Sequence, residues 1–530
     1  MSNLLSPIPR VYTHRVAAVC AGPSLVSATL IVPCTERGAH LPPDGVFSAG
    51  NESVEPLQGA MRGSLSITVI GSGYVGLVVA VCFAEIGHQV FCVDKDEARI
   101  LALRRGISPI HEEFLPELLR KPRPNPIEFT TDLHSATLRA EAVFIAVGTP
   151  RNCTGGADLS FVDAVAGEIA RSIDSYKVVV EKSTVPVCTS DWIRQVLESK
   201  GVAGNLFDVA SNPEFLREGS AVVDFLHADR VLIGAEASRA AEILRQIYIP
   251  LTTGSYYRRP DAVPGPRSEA SPPALLHTSA RAAEIIKQAS NAFLATKISF
   301  INAIAHLCDA TGVDVEQVAC GIGADHRIGR DFLHAGIGYG GPCFAKDIAA
   351  FRSVAEQLGV DFGLLREVEE INAAQKARFL HKVRSALGTL PGRHIGVLGL
   401  AYKAGTDDIR ESSAVAVIRQ LHEEGCTVTA HDPAAMERSK EVLPPGPRMF
   451  YACDPYAAAH DADALLVLSD WPEFAELELP RLYGTLRRPI VIDGRNLLDP
   501  AVMAEHGFTY LSVGRPAAAP RAALTGLSRP

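Results

Sequence analysis

The chain alternates short apolar runs with longer amphipathic segments over most of its length. In the first half, the apolar runs lie at 67–70, 89–93, 142–147, 178–180 and 231–233. Near-continuous apolar runs of this length are typical of strands covered on both faces, and their alternation with helices predicts a parallel sheet. The first half is therefore predicted to be a doubly wound α/β domain.

A second alternating unit begins near Arg393. Its predicted strands lie at 395–400, 427–430, 464–468 and 489–492, with a helix near 412–425. Between the two units, helical periodicity runs from about 278 to 311, and Gly312 is a stop signal. A helix of that length spans roughly 50 Å and is long enough to bridge domains or build a dimer interface. The predicted fold class is α/β, with two Rossmann-like doubly wound parallel-sheet domains joined by a long central helix.

These patterns divide the chain into five predicted segments. They are a disordered N-terminal extension at 1–62, a first sheet domain at 63–277, a central helical domain at 278–385, a second sheet domain at 386–514 and a disordered tail at 515–530. The extension lacks periodicity and is punctuated by Pro, Gly and Ser throughout. Residues 258–277, rich in Pro, Ser and Arg, are predicted to form a surface loop or disordered insertion.

Composition narrows the functional classes. The net charge of −9 gives no basic face for a nucleic-acid partner. Eleven cysteines without a CxxC pair or a regular spacing argue against a secreted disulfide framework, and no metal site is expected. No uninterrupted apolar run reaches the length of about 18 residues that a membrane helix needs. The nearest, 16–34, is interrupted by Gly22 and Pro23 and fits a signal peptide poorly. We expect a cytoplasmic protein without a membrane partner.

A glycine-rich turn, GSGYVG, directly follows the first predicted strand and holds Gly71, Gly73 and Gly76. Glycine permits a tight turn and lets a pyrophosphate approach the free amides of the next helix. Asp94 ends the following strand, where a carboxylate accepts from the ribose hydroxyls of NAD and repels the 2′-phosphate of NADP. The pattern predicts an NAD site. Arg99, one turn further on, either covers the adenosine or is a solvated surface arginine.

The second unit repeats this pattern incompletely. Its turn GVLG at 396–399 lacks the third glycine, although Asp432 ends its second strand. We interpret it as a degenerate Rossmann-like turn that serves a nucleotide substrate and does not hold a second NAD.

Cys343 follows the glycine-rich stretch GIGYGGP and precedes Asp347 by one helical turn. Thiolate is the reactive form of cysteine, and we expect the flanking amides and Lys346 to lower the thiol pKa. The pattern leaves two interpretations open, a nucleophile and a buried structural thiol.

Two further pairs carry candidate chemistry. Lys287 and Asn291 share one face of the long helix, where the lysine either snorkels to solvent or stabilises an oxyanion. Glu214 and Glu218 lie four residues apart in a turn-rich segment. They are either a charge pair at a helix start or a pair that transfers protons.

Taken in order, these motifs resemble those of the UDP-glucose/GDP-mannose dehydrogenase family over roughly residues 65–512. The matching segments are GSGYVG at 71–76, VGTP at 147–150, EKSTVP at 181–186, NPEFLREG at 212–219, KQASNAFLA at 287–295, GYGGPCFAKD at 338–347, Lys403 with DIRES at 408–412, and DGR at 493–495. Three features depart from the pattern: Pro342 where serine is frequent, the longer 258–277 loop and the extension at 1–62.

The resemblance implies an NAD-dependent oxidation of a sugar nucleotide, most closely UDP-glucose to UDP-glucuronate, with two NAD used per substrate. The resemblance implies that Cys343 is the nucleophile, which forms a thiohemiacetal and then a thioester. Lys287 and Asn291 would stabilise oxyanions, and Asp347 and Thr184 would hold or activate the water and the proton path. Glu214 would take part in acid–base catalysis. Residues 63–277 would then bind NAD and 386–514 the UDP-sugar.

The same resemblance implies two sets of binding residues. NAD would contact Gly71, Gly73, Tyr74, Val75, Gly76, Asp94, Arg99, Thr149, Thr184, Glu218, Lys346 and Arg410. The substrate would contact Glu214, Phe215, Leu216, Arg217, Lys287, Asn291, Arg327, Tyr339, Gly340, Tyr402, Lys403 and Arg495. Because members of the family share arginines between subunits, we expect a homodimer or higher oligomer formed by 278–385, acting in polysaccharide biosynthesis.

Three alternatives stay open. A GDP-mannose or UDP-N-acetylhexosamine dehydrogenase would use the same mechanism, although segment 212–219 and the serines Ser412 and Ser413 favour the UDP-glucose branch. A one-step hydroxyacid dehydrogenase has no need of Cys343. A catalytically inactive nucleotide-binding regulator would not need to retain the whole set of Cys343, Lys287, Asn291, Asp347 and Glu214.

Overall fold

The computed structural model describes residues 63–152, 155–266 and 271–520 of the chain, and an eight-stranded sheet organises the first part of them. The strands are β1 Ser66–Ile70, β2 Gln89–Val93, β3 Glu128–Thr130, β4 Ala142–Ile145, β5 Lys177–Glu181, β6 Phe207–Ser211, β7 Arg230–Gly234 and β8 Ala274–Thr278. Their order is β3-β2-β1-β4-β5-β6-β7-β8, and the first six run parallel. The sheet reverses at β7, which pairs antiparallel with β6 through Ser211 and Gly234. The predicted parallel sheet is therefore confirmed for β1 to β6, and β7 and β8, which pair parallel with each other, join it through the antiparallel β6–β7 pair.

Helices cover both faces of this sheet. They are α1 Tyr74–Glu85, α2 Glu97–Arg104, α3 Leu115–Arg120, α4 Leu133–Arg139, α5 Ser160–Ala170, α6 Thr189–Ser199, α7 Ala221–Leu226 and α8 Ser238–Thr252. Consecutive strand residues serve opposite cores, since Val69 packs in the cluster with α1 and α8 and Ile70 in the cluster with α5 and α6. Burial on both faces explains why these strands read as continuous apolar runs.

Four helices follow: α9 Ala280–Thr311, α10 Val315–Gly323, α11 Pro342–Gln357 and α12 Gly363–Leu387. The 32 residues of α9 confirm the predicted long helix. It begins at Ser279, whose side chain accepts from the Ala282 amide, and ends at Gly312 with a φ of 75°. It packs against α11 and α12 on one side and against β6 and β7 on another. It therefore connects the first sheet to the rest of the chain.

The second sheet has six parallel strands in the order β11-β10-β9-β12-β13-β14. In chain order its elements are β9 His394–Leu398, α13 Ser413–Glu423, β10 Thr427–His431, α14 Met436–Val442, β11 Met449–Tyr451, α15 Pro455–Ala459, β12 Ala464–Val467, α16 Pro472–Ala475, α17 Leu479–Thr485, β13 Ile490–Asp493, α18 Pro500–Glu505 and β14 Thr509–Ser512. The order repeats that of the first six strands of the other sheet. Sheets of this order bind ligands at the carboxyl ends of the strands, where the winding reverses.

Two expectations about irregular segments need correction. Segment 258–277 contains the end of a 3₁₀ helix, Tyr256–Arg258, and most of β8, so it is not a continuous loop. The tail does not lose order at Arg515, because Ala518 exchanges backbone hydrogen bonds with Tyr510. The predicted disordered extension at 1–62, the remaining tail at 521–530 and part of the insertion, 267–270, lie outside the described residues.

Within the described ranges, no helix is both long and apolar enough to cross a bilayer. The same ranges contain no group of three His, Cys, Asp or Glu side chains arranged to hold a metal ion.

Candidate active site

The turn between β1 and α1 has the shape of a cradle for a pyrophosphate. Gly71 has a φ of 101° and donates its N–H to the Val93 carbonyl at 2.7 Å. A Cβ on Gly71 would lie 2.5 Å from the Ala146 oxygen, and a Cβ on Gly76 would lie 1.9 Å from the Gly71 oxygen. Both positions therefore require glycine. Gly73 faces open space, which leaves room for a phosphate at the N-terminus of α1. The residues present fit NAD.

Asp94, after β2, is held in place beside this turn. Its Oδ2 accepts from the Ser72 amide at 2.8 Å, from the Ser72 hydroxyl at 2.7 Å and from Arg99 at 3.1 Å. Burial on its own would raise the pKa of Asp94, but the Ser72 donors and Arg99 hold it below its usual value. The carboxylate is therefore ionised where a ribose would bind, and Arg99 lies next to it.

Cys343 is the second residue of α11, and solvent reaches it although protein atoms surround most of its thiol. Gly341 precedes the helix with a φ of 82°, and a Cβ on it would lie 2.7 Å from the Tyr402 ring. Pro342 occupies the first helical position, where its missing N–H breaks no hydrogen bond. The departure from serine at this position therefore leaves the loop geometry intact.

The expectation of a lowered thiol pKa at Cys343 is wrong for this structure. The protein packed around the thiol and the carboxylates of Asp347 and Glu214 raise its pKa to about 12, against the opposing charge of Lys287. Lys346, expected to stabilise a thiolate, instead lies 2.8 Å from Asp347. Cys343 is therefore a protonated thiol near neutral pH.

Lys287 and Glu214 form an ion pair at 3.0 Å, with exposed side-chain fractions of 6% and 8%. Glu214 also accepts from the Leu216 amide at 2.6 Å and from the Thr184 hydroxyl at 3.5 Å. Burial alone would raise the pKa of Glu214, but Lys287 and the Leu216 amide hold it below its usual value. Burial alone would lower the pKa of Lys287, but Glu214 and Asp347 raise it. Both groups are therefore charged, so Lys287 does not snorkel to solvent.

A hydrogen-bonded chain links α9, α11 and two loops of the first sheet. The Asn291 amide donates to Asp347 at 2.7 Å, and Lys346 donates to the Thr149 hydroxyl at 3.1 Å. The Thr149 hydroxyl donates in turn to the Thr184 carbonyl at 2.9 Å. Asn291, Asp347, Lys346, Thr149 and Thr184 are thereby brought together around the N-terminus of α11.

The second sheet contributes segment 401–411. Arg410 forms an ion pair with Asp408 and reaches Glu218 at 3.3 Å. Burial, followed by the Asp408 charge, raises the pKa of Glu218 to about 8. The hydroxyl of Tyr74, the first residue of α1, donates to Asp407 at 2.8 Å, and the next residue, Val75, is half-buried. The glycine turn and the Glu218 segment therefore both contact the second sheet.

Arg495, after β13, supports the glycine-rich loop at 336–342 that leads to Cys343, which we call the cysteine loop. Its guanidinium donates to the carbonyls of Tyr402 at 2.9 Å, Leu468 at 3.0 Å and Gly338 at 3.5 Å. Lys403 lies with its Nζ 5.7 Å from the centre of the Tyr402 ring, and burial lowers its pKa. Arg495 therefore connects the cysteine loop to the second sheet, next to the partly desolvated Lys403.

The segment after Glu214 presents side chains of different kinds. The Phe215 ring lies 3.7 Å from the Arg230 guanidinium and 5.3 Å from Lys287. Arg217 is exposed and forms an ion pair with Asp224 at 2.6 Å. Cations thus approach the ring of Phe215, while Arg217 points towards solvent.

Asn372 on α12 forms hydrogen bonds to the backbone of the cysteine loop. Asn372 accepts from the Tyr339 amide at 2.8 Å and donates to its carbonyl at 3.1 Å. The Tyr339 ring stands perpendicular to that of Phe344, and a Cβ on Gly340 would lie 2.5 Å from the Glu411 oxygen. Tyr339 is therefore largely a packing residue, whereas Gly340 is required by the close approach of the second sheet.

Arg327 is the implied site residue that the structure leaves apart from the others. Its side chain is 78% exposed and forms an ion pair with Asp325, two residues earlier in the loop after α10. Within this chain it does not reach Cys343.

Sequence reasoning missed two buried groups. Lys182, directly after β5, donates to Asn212 at 3.0 Å, and the Tyr248 hydroxyl donates to the same oxygen at 2.6 Å. Glu112 accepts from the amides of Gly219 and Ala221 at 2.7 and 2.6 Å. The available signal for Lys182 was the charged pair Glu181 and Lys182, which directly follows the apolar run at 178–180.

A glycine cradle with an ionised aspartate, a second Rossmann sheet without the third glycine and a cysteine between them define an NAD-dependent dehydrogenase with a separate nucleotide-substrate domain. Family descriptions for the UDP-glucose/GDP-mannose dehydrogenases match the chain in three parts: the NAD binding domain at 65–252, the central domain at 281–374 and the UDP binding domain at 396–500. The chain belongs to the UDP-glucose/GDP-mannose dehydrogenase family and is an NAD-dependent nucleotide-sugar dehydrogenase.

Individual relatives agree with the family. A UDP-glucose 6-dehydrogenase of Bacillus subtilis is 43% identical over 85% of this chain and 93% of its own length. The solved UDP-glucose dehydrogenase of Pyrobaculum islandicum is 38% identical, with a TM-score of 0.76 over 85% of this chain and 98% of its own. A UDP-D-ManNAc dehydrogenase structure from Pyrococcus horikoshii is 27% identical, with a TM-score of 0.70 over 85% and 99%. The similarity is thus higher to the two UDP-glucose enzymes.

Proposed function

We propose that this enzyme oxidises UDP-glucose to UDP-glucuronate in two NAD-dependent steps, with Cys343 as the covalent nucleophile. The observation that carries the proposal is the convergence of this thiol with the Lys287 ammonium and the Asp347 carboxyl, to which Asn291 donates. A cysteine beside groups that stabilise an oxyanion suits acyl transfer, which a one-step alcohol oxidation does not need.

The substrate assignment follows from the relatives and from the second sheet. The two relatives with the higher identities are UDP-glucose dehydrogenases by name. We assign the UDP group to the carboxyl edge of the second sheet, near Tyr402 and Lys403, and the sugar to the cysteine loop. Arg495 already donates to three carbonyls, so we assign it the support of that loop in addition to any substrate contact.

The first oxidation gives an aldehyde, and the thiol of Cys343 adds to its carbonyl carbon to form a thiohemiacetal. NAD, when bound, accepts one hydride in each of the two oxidations. Lys287, which is charged, and Asn291 donate hydrogen bonds to the substrate oxygen as negative charge develops on it. Because the Cys343 thiol is protonated, it gives up its proton as it attacks, and Asp347 is the neighbouring carboxylate placed to receive it.

The second oxidation leaves a thioester on Cys343, which water hydrolyses. Glu214 remains a carboxylate because its pKa is held low, so it can accept a proton from that water. The Thr184 hydroxyl, 3.5 Å from Glu214, helps to orient the water. Hydrolysis returns Cys343 to its thiol form and releases the uronate.

NAD would be held by residues that line the first sheet and face the second. They are the turn of Gly71, Gly73, Tyr74, Val75 and Gly76, then Asp94, Arg99, Thr149, Thr184, Glu218, Lys346 and Arg410.

The test is NAD reduction across a panel of sugar nucleotides, with NADH counted per uronate formed. We expect UDP-glucose to react best, with two NADH per uronate. If GDP-mannose or a UDP-N-acetylhexosamine reacts faster than UDP-glucose, that sugar nucleotide is the substrate and the assignment of UDP-glucose is wrong. Cys343→Ala should at most make aldehyde while still binding NAD, and an alanine variant that makes uronate at the wild-type rate would end the covalent role.

We also propose that two copies of the chain pair along α9. Four exposed apolar side chains, Ile285, Phe293, Phe300 and Leu307, follow one another at intervals of seven or eight residues, with exposed fractions of 42%, 66%, 51% and 63%. At two helical turns per interval they form one stripe. Arg327, exposed on the loop after α10, is the residue that we expect to act on a partner's site.

A cytoplasmic location is part of the proposal. Seven cysteines in the described part of the chain are free thiols, and four of these, Cys82, Cys92, Cys308 and Cys426, are buried. Reduced cysteines are the rule in a reducing compartment.

A further inference from the structure

Lys182 is a buried lysine that the steps above leave without a role. Its exposed fraction is 3%, and its Nζ donates to the Asn212 side-chain oxygen at 3.0 Å. The Tyr248 hydroxyl donates to that oxygen at 2.6 Å, and the Asn212 amide donates to the Leu232 carbonyl at 2.7 Å. The lysine is therefore one of two donors that fix Asn212 inside the protein.

Asn212 lies two residues before Glu214, the proposed base. Its backbone amide donates to the Glu181 carbonyl at 2.9 Å, which ties the segment to the end of β5, directly before Lys182. Any displacement of Asn212 would be passed along this short stretch to the Glu214 carboxylate.

Few charged or titratable groups surround Lys182 and Glu214, and they come from three elements. Glu214 and Lys287 face Lys182, while Cys343 and Asp347 on α11 face Lys287. Two buried ammonium groups thus lie around one buried carboxylate. Burial lowers the pKa of Lys182 to about 7, against the charge of Glu214, whereas the pKa of Lys287 is raised. The charge of Lys182 therefore changes near neutral pH, and that of Lys287 does not.

We propose that Lys182 is a positioning residue for the second half of the reaction, which holds the Glu214 carboxylate in place through Asn212 and keeps it ionised through its own charge. The inference rests on the proposed function, in which Glu214 accepts the proton from water. The two roles can be separated by experiment. Positioning Glu214 through Asn212 needs a hydrogen-bond donor at residue 182, whereas keeping Glu214 ionised needs a positive charge there.

Three variants separate the roles. Lys182→Gln keeps a donor for Asn212 and loses the charge, whereas Lys182→Met loses both. Tyr248→Phe is the matched control, because it removes the other donor to Asn212 and leaves the charge. The measurement is kcat and KM from pH 4.5 to 9, with Glu214→Gln used to assign the acid limb of the profile to Glu214.

We expect the acid limb of kcat to move to higher pH by about one unit in both Lys182 variants, because a carboxylate that loses a nearby cation is protonated more readily. At pH 8, where Lys182 is already neutral, Lys182→Gln should keep kcat within about threefold, and Lys182→Met should lose about tenfold. KM should stay within about twofold throughout. Tyr248→Phe should not move the limb. An acid limb that stays in place in both Lys182 variants would overturn the proposal.

A second measurement does not depend on turnover. The denaturant midpoints of wild type, Lys182→Met, Glu214→Gln and the double variant form a cycle, taken at pH 6 and pH 9. We expect non-additive shifts at pH 6, where Lys182 is charged, and smaller non-additive shifts at pH 9, where only the hydrogen bond to Asn212 links the two groups. Additive shifts at both pH 6 and pH 9 would overturn the proposed link between Lys182 and Glu214. If no sugar nucleotide is oxidised, the proposed function fails, and the cycle still decides whether Lys182 acts on Glu214.

Discussion

The thiol of Cys343 is protonated at neutral pH because the surrounding protein and the carboxylates of Asp347 and Glu214 raise its pKa to about 12. Replacing Asp347 with Asn removes a negative neighbour and frees Lys346, which lies 2.8 Å from that carboxylate. Both changes favour the thiolate, so the pKa should fall. We expect alkylation of Cys343 by iodoacetamide at pH 7.5 to become about tenfold faster, the effect of one pKa unit.

The rate is followed by intact mass, and peptide mapping assigns the label. Cys320 is exposed and serves as an internal control, since its alkylation should be the same in both proteins. An unchanged rate at Cys343 would mean that Asp347 does not set the state of the thiol.

Single residues were predictable from the sequence where the chemistry is local. Lys287 and Asn291 lie one turn apart on α9, and Cys343 and Asp347 one turn apart on α11, so their spacing predicts that each pair shares a face. Lys182 was not predictable, because its burial depends on partners 30 to 105 positions away, such as Asn212 and Lys287. The pKa of Cys343 was mispredicted because burial, which depends on how several elements pack, raises it most, and because Glu214, which adds to the nearby Asp347, comes from a different element.

At the scale of elements, the glycine turn allows a paired test. A Cβ on Gly76 would lie 1.9 Å from the Gly71 oxygen, whereas a Cβ on Gly73 meets open space. Gly76→Ala should therefore lower the melting temperature by several degrees, since backbone must move. Gly73→Ala should keep the melting temperature and weaken NAD binding about tenfold or more, because its methyl group occupies the approach of the pyrophosphate.

Calorimetry of unfolding and of NAD binding measures both effects. Equal melting temperatures for the two variants, or full NAD affinity in Gly73→Ala, would contradict this account of the turn.

Helix α7 offers a second test at the same scale, since its N-terminus is capped from a distant loop. Ser220 makes no side-chain cap, and Glu112 accepts from the Gly219 and Ala221 amides instead. Burial raises the pKa of Glu112 to about 7 although these amides oppose it. Between pH 4.5 and 7 the folded state keeps a proton that the unfolded state has released, so this group's contribution to stability falls as pH rises.

We therefore expect the stability advantage of wild type over Glu112→Gln to shrink from pH 5 to pH 8, by at most about 3 kcal/mol. Denaturant unfolding at several pH values measures the difference. A gap that does not shrink as the pH rises would show that Glu112 is already ionised in the folded protein.

Elements were predictable from the sequence when they were long or fully buried. The strands at the sheet centres and helix α9 stand out as unbroken patterns. The strands β3 and β11, three residues each at sheet edges, carry too few apolar positions to be recognised. Strand β8 lies in the segment for which the Pro, Ser and Arg content predicts a loop, and most of its own residues are exposed. Such strands exist because a neighbouring strand offers free backbone groups, which their own sequence does not record.

For the whole molecule, the stripe of Ile285, Phe293, Phe300 and Leu307 on α9 is the surface expected to join two copies. A row of exposed apolar side chains of this length is uncommon on a monomer. Phe293→Glu together with Phe300→Glu places charges in the stripe and should give a monomer by light scattering. The matched control is Leu101→Glu, an exposed apolar residue of α2 outside the stripe, which should leave the assembly unchanged.

The same assembly predicts that active sites are shared between subunits. Arg327 points to solvent in its own chain and forms an ion pair only two residues away, with Asp325. If it completes the site of a partner, Arg327→Ala and Cys343→Ala chains should each be nearly inactive alone, and an equimolar mixture of the two should recover up to about a quarter of wild-type activity. That fraction follows because half of the dimers are mixed at equilibrium and each has one intact site. The measurement is NAD reduction after mixing and re-association, with dimers of the two chains verified by mass. Verified mixed dimers without activity would rule out action in trans, and a wild-type chain that is monomeric while active would rule out the dimer itself.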